Sequence, residues 1–241
     1  MRITSALLAP GLALVIATPA AAMDDQATYW RVDGLVERRA SSVSPDTAWQ
    51  GSAWIGGDTD KIRLESSGVL RDDGRIENEG GTQGIDNRLF YSRLIAPFWD
   101  AKAGLQMSVF DGGQTRAGFV AGFEGLAPYD IHLDVTTGIT QTGVVSARLE
   151  ARYDILLSQR LIAQPFGEAT VAASDDRAIG LGAGLSRIEG GLRLRYEIEK
   201  EFAPFIGVSF EQFTGNTAGF AAADGDQTSK LRVLAGLKVW F

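Results

Sequence analysis

The 241-residue chain has no cysteine, one histidine (His132) and three methionines. Without thiols it has neither a disulfide framework nor a thiolate metal site, and a lone imidazole cannot form a histidine cluster. No apolar run reaches the roughly 18 residues of a membrane-spanning helix; the longest, residues 6–17, is interrupted by Pro10. Basic residues are outnumbered, 23 Lys and Arg against 30 Asp and Glu, for a net charge of -7, which argues against a nucleic-acid partner. No G-x-S-x-G elbow occurs, and the single His has no evident nucleophile partner, so the chain does not read as an enzyme. Gly180-Leu181-Gly182-Ala183-Gly184 lacks the preceding apolar strand and following helix of a nucleotide loop and reads as a flexible turn. Asp224-Gly225-Asp226 is too short for a calcium loop.

Residues 1–22 read as a secretory signal peptide, removed from the mature chain. Arg2 supplies the positive n-region, residues 6–17 the short apolar stretch, and Ala20-Ala21-Ala22 an A-x-A cleavage site. Residues 23–241 then form one large β domain.

The decisive stretch is 145–157. Val145, Ala147, Leu149, Ala151, Tyr153, Ile155 and Leu157 alternate with Ser146, Arg148, Glu150, Arg152 and Asp154. Strict period two is a strand with one apolar and one polar face. A helix would stack Arg148 on Arg152 and Glu150 on Asp154 as like-charge pairs. So long a strand, carrying so many ionised groups on one face, fits a barrel that turns its apolar face to lipid and its charges inward. The reverse orientation would cost about 2–4 kcal/mol for each arginine at the bilayer midplane.

The pattern recurs. Trp99, Ala101, Ala103, Leu105, Met107 and Val109 oppose Asp100, Lys102, Gln106 and Ser108, and Leu192, Leu194, Tyr196 and Ile198 oppose Arg193, Arg195, Glu197 and Glu199. Similar alternation runs through 29–38, 61–69, 116–124, 131–136, 160–172, 203–210 and, more weakly, 49–55. For 88–95 either facing is open. Residues 174–184 and 214–228 read as loops, the latter long and polar. The fold expected is all-β: a closed antiparallel transmembrane β-barrel of about 12 strands (10–12), monomeric, in the lipid bilayer of the cell outer membrane. Phe241, ending an alternating strand, is similar to the signal read by the barrel assembly machinery.

The charges turned inward are of mixed sign. They support two readings: a lumen filled by ion pairs and water, or a polar conduit with a cation site. A barrel this small leaves little free cross-section, since aqueous pores are typical of about 16 strands or more.

Trp54-Ile55-Gly56-Gly57-Asp58, residues 91–100 (YSRLIAPFWD), Gly125-Leu126-Ala127-Pro128-Tyr129, residues 159–165 (QRLIAQP), residues 191–197 (GLRLRYE) and residues 202–208 (FAPFIGV) resemble, in this order, the copper resistance protein B family of outer-membrane proteins. The resemblance runs from Trp30 to Phe241. It implies a barrel that binds copper in its lumen or passes it through, beside a periplasmic partner such as a multicopper oxidase. The alternative is a structural or docking barrel for periplasmic copper proteins that moves no metal. Family members often carry a Met- and His-rich segment before the barrel, and here only a few residues precede the first strand. The donors left for a copper ion are oxygens and one imidazole: His132, Asp134, Glu150 and Asp154 on neighbouring strands. The bland reading of these four is ordinary lumenal ion pairing.

Overall fold

The computed structural model describes residues 27–41, 45–76, 84–199 and 201–241; the expected signal peptide, residues 1–22, lies outside them. Alternating side chains build strands β1 (Tyr29–Ala40), β2 (Asp46–Gly56), β3 (Asp60–Arg71), β4 (Ile85–Ala96), β5 (Trp99–Val109), β6 (Thr115–Ala127) and β7 (Ile131–Thr140). They continue with β8 (Val145–Arg152), β9 (Ile155–Leu156), β10 (Leu161–Ala172), β11 (Gly184–Tyr196), β12 (Phe202–Phe213), helix α1 (Gly215–Ala223) and β13 (Ser229–Trp240). The two-residue β9 resumes β8 after a break at Tyr153 and Asp154, and both pair with β10. The wall therefore has 12 strands.

Every pairing is antiparallel, and β1 pairs with β13 to close the cylinder. At that seam Val32 and Phe241 exchange two backbone hydrogen bonds of 2.9 Å. Closure leaves no unpaired edge, which hydrocarbon requires.

Facing follows the alternation. Leu64, Leu105, Met107, Phe119, Ile206 and Val233 point outward and stay exposed, whereas Asp100, Lys102, Arg187, Glu211 and Arg232 are buried inside. This inverts a soluble protein and matches a lipid-embedded barrel. β4 is settled too: Phe90 and Ser92 are buried, while Leu89 and Tyr91 face outward. Arg88 and Arg93 are five residues apart and so lie on opposite faces; Arg93 meets Asp60 at 3.7 Å at the rim.

Loop length orients the barrel. The connections on the side of the chain termini are short (residues 57–59, 97–98, 128–130, 157–160 and 197–201) and those at the other end include 173–183 and 214–228. Short turns face the periplasm and long loops the outside. Trp30, Tyr91, Phe98, Tyr129 and Tyr196 lie exposed toward the periplasmic end, where aromatic rings suit the membrane interface.

Three expectations change. The stretch 214–228 is not a polar loop throughout but contains α1, nine residues long. A helix so short is marginal alone; here it is held against residues 173–183, with the Gly182 amide donating to Thr217 Oγ1 at 2.8 Å and Asn216 Nδ2 to Asp175 Oδ1 at 3.1 Å. The strand expected over 145–157 breaks at Tyr153. Arg160, expected inward at the head of the alternating stretch 160–172, sits exposed in the β9–β10 turn and does not point into the lumen.

Residues 173–183 fold over the extracellular mouth as a cap. Ile179 and Leu181 pack with Phe110, Val144 and Ala172 as a buried apolar cluster. Arg116 clamps the cap, its Nε and Nη2 donating to the two carboxylate oxygens of Asp176 at 2.7 and 2.9 Å. That guanidinium holds the Asp176 carboxyl below the usual carboxylate range. The Ala183 amide, then Asn216, do the same for Asp175. Beneath the cap is a cavity of about 60 Å³, lined by Asp86, Arg88, Arg116, Arg148 and Asp176 among others.

Candidate functional site

In an antiparallel ladder, directly opposed residues share a face. The register opposes Asp100 to Glu124, Glu124 to Asp134, Asp134 to Glu150, Glu150 to Glu168, Glu168 to Glu189, and Glu189 to Glu211. A carboxylate thus stands on the inner wall at each of these steps, from β5 round to β12. Barrel strands tilt, so a row drawn across them climbs the wall. Asp100 is near the periplasmic end of β5, and Glu211 near the extracellular end of β12.

Like charges directly opposed across a ladder repel, so the row needs interposed cations. They come largely from the next inward positions toward the outside: Lys102, Arg148 and Arg187, themselves aligned through Gly122, Thr136 and Thr170. Lys102 Nζ lies 2.5 Å from Asp134 Oδ2, 3.4 Å from Glu124 and 3.5 Å from Glu65. Arg63 also pairs with Glu124, and Lys61 reaches Asp100 at 2.7 Å. Arg187 holds Glu168 and Glu211, each at 2.6 Å, and also Glu189; Arg232 takes the other oxygen of Glu211 at 2.8 Å. Glu150 is the least covered member of the row, with Arg148 at 3.8 Å and a side chain 35% exposed.

The four residues singled out in the sequence divide. Asp134 and Glu150 are opposed in the row. Asp134 also converges with Glu65 and Glu124, the group of carboxylates among the described residues whose oxygens lie within 4.8 Å of one another. His132 is opposed to Arg152. Asp154, in the break between β8 and β9, accepts from Gln164 Nε2 at 2.5 Å and from Arg195 Nη2 at 3.0 Å. His132 and Asp154 therefore do not join the carboxylate group around Lys102.

Sequence reading missed Glu189 and also Arg187, Glu211 and Arg232, the three most deeply buried charges in the wall. A signal was present: Arg187 and Glu189 flank Ile188, Glu211 follows Phe210, and Arg232 lies between Leu231 and Val233. It was masked by the adjoining loops and by Gly190-Gly191.

A closed antiparallel cylinder of this size, apolar outside and ionic inside, is an outer-membrane β-barrel. The fold is similar to the NanC porin (TM-score 0.54, 13% identity, covering 86% of this chain and 98% of that one). It is also similar to the KdgM porin (TM-score 0.50, 9% identity, covering 88% and 99%). Within that class the family is defined by sequence. The family model described as copper resistance protein B precursor (CopB) matches residues 27–241. Copper resistance protein B of Escherichia coli is 36% identical over 90% of this chain and 71% of its own length. A copper resistance protein B homolog of Pseudomonas syringae pv. tomato is 38% identical over 89% and 70%. The chain belongs to the copper resistance protein B family.

Proposed function

We propose that this chain serves copper resistance at the outer membrane by binding Cu(II) on its lumenal carboxylate row, with Asp134 and Glu150 as the first ligands. The observation that carries this reading is the register-matched row itself, a series of oxygen donors between the two ends of the barrel. Family membership supplies the metal. The donor set favours the oxidation state: there is no cysteine, and Met107, the methionine among the described residues, faces lipid, whereas carboxylates and an imidazole suit Cu(II). Glu65 and Glu124 flank Asp134, and His132 lies two residues from it on the same face of β7. Asp154 already spends both oxygens on Gln164 and Arg195 and contributes less.

Copper entering the row competes with Lys102 and Arg148 for the same oxygens. Passage follows if the ion moves from one carboxylate to the next as these cations give way. Nothing in the donor set calls for a chemical step, so the role is one of binding and transfer, not catalysis. On this reading the metal is cargo, delivered to or received from a periplasmic copper-oxidising partner.

The cap over the extracellular mouth favours a second reading. With residues 173–183 folded over that mouth, the barrel would anchor periplasmic copper proteins and move no metal. Titrating the refolded mature barrel with Cu(II), wild type against Asp134→Ala, Glu150→Gln and His132→Ala, separates the two. The first reading predicts saturable binding that Asp134→Ala weakens most; equal, near-zero affinity in all four discards lumenal coordination. Copper flux into liposomes tests passage apart from binding.

A further inference from the structure

The periplasmic mouth gathers three cationic side chains, Arg195, Lys238 and Arg152, beside the carboxylates of Asp154 and Glu197. Arg195 is buried on β11. Its Nη2 serves Asp154, at 3.0 Å, and Glu197, at 3.4 Å, while Nε and Nη1 are buried with no hydrogen-bond partner. Asp154 takes neither of them: it accepts from Arg195 Nη2 and Gln164 Nε2. Lys238 on β13 shares a neighbour with Arg195: the Lys238 Nζ and the Arg195 Cζ each lie 5.8 Å from the centre of the Trp240 ring. Lys238 interacts electrostatically with Arg195 and Arg152 as well as with Asp154 and Asp33, and Asp33 is itself bound to Arg31. Arg152, exposed at the mouth opposite His132, completes the group.

Buried charged donors without acceptors are costly; in Arg195 the two lie on either side of Nη2, so each offers its N–H separately. The geometry points to an anion site at the periplasmic mouth, where Arg195, Lys238 and Arg152 bind a small oxyanion, a phosphate or a carboxylate group. Such a group accepts from the free Nη1–H of Arg195 and relieves its repulsion with Lys238 and Arg152. The ligand comes either free from the periplasm or as the carboxylate of a docked peptide. The site is separate from the copper reading and stands or falls without it.

The test is calorimetric titration of the mature barrel in micelles with inorganic phosphate, acetate, and a short peptide bearing either a free or an amidated C-terminus. Saturable phosphate or acetate binding is expected, at least tenfold weaker in Lys238→Gln and in Arg195→Gln, with both variants keeping the heat-modifiable gel mobility of a folded barrel. Should Arg195→Gln fail to fold, Lys238→Gln decides alone, since Lys238 makes no hydrogen bond or ion pair. A free carboxyl terminus binding more tightly than the amidated peptide supports a docked partner; phosphate binding without that preference supports a free anion. Absence of saturable binding, affinities unchanged in Lys238→Gln, or full displacement by equimolar chloride overturns the site.

Discussion

Arg187 Nε donates to Glu211 Oε1 at 2.6 Å, and neither side chain is more than 1% exposed. Arg232 binds the second oxygen of the same glutamate at 2.8 Å, so one carboxylate ties β11 and β13 to β12 from inside. Removing one partner of such a buried pair strands the other charge, at about 3–5 kcal/mol. Glu211→Ala is therefore expected to lower the urea midpoint of the barrel in micelles strongly. The double variant Arg187→Met, Glu211→Met should lose less than the sum of the two single changes.

The cap responds to acid through Asp176. Arg116 lowers its carboxyl pKa in the folded state. A depressed carboxyl stabilises above its unfolded value, near 3.9, and loses that contribution as pH falls through the lower folded value. The protection of the amides of residues 173–183, taken relative to intrinsic exchange at each pH, should thus stay flat from neutral pH to about 4 and fall only below it. In Asp176→Asn protection should be low throughout.

Outward positions should be intolerant of charge in proportion to depth. Leu105 is mid-strand on β5 and exposed to lipid. Leu105→Arg is expected to cost about 2–4 kcal/mol of folding free energy, whereas an arginine at Tyr129 in the periplasmic turn should cost about 0–1. Equilibrium refolding into vesicles measures both.

Lys102 holds the carboxylates of Glu65, Glu124 and Asp134 together. Lys102→Met leaves Arg63 as their remaining close cation. The barrel should become less stable yet bind Cu(II) roughly tenfold more tightly, about 1.4 kcal/mol. Paired unfolding and titration curves on the same preparation would show the two effects together.

The outer face of this barrel was legible because hydrocarbon enforces period two: Leu105, Phe119 and Val135 could be placed without coordinates, as could Lys102 and Arg148 behind them. The facing of β4 was not, since Arg88 and Arg93 lie five apart and contradict each other; only the rim position of Arg93, beside Asp60, resolves them. Helix α1 was hidden because Gly, Ala, Asn and Thr give it little amphipathic signal, and its support comes from a loop 35 to 41 residues earlier, as Gly182 with Thr217 and Asp175 with Asn216 show. Charge identity could be read strand by strand, but which charges meet could not. Asp134 sits among Glu65, Glu124 and Lys102 and not with Asp154, because register and barrel tilt, both non-local, decide which inward residues are neighbours.

The most direct test of the copper reading is electron paramagnetic resonance of the refolded mature barrel loaded with one equivalent of Cu(II). The account predicts an oxygen-dominated Cu(II) signal that is lost or displaced in Asp134→Asn and in Glu150→Gln, while Leu105→Ala on the lipid face leaves it intact. A signal indifferent to both carboxylate changes, or free aqueous copper in every sample, would contradict it.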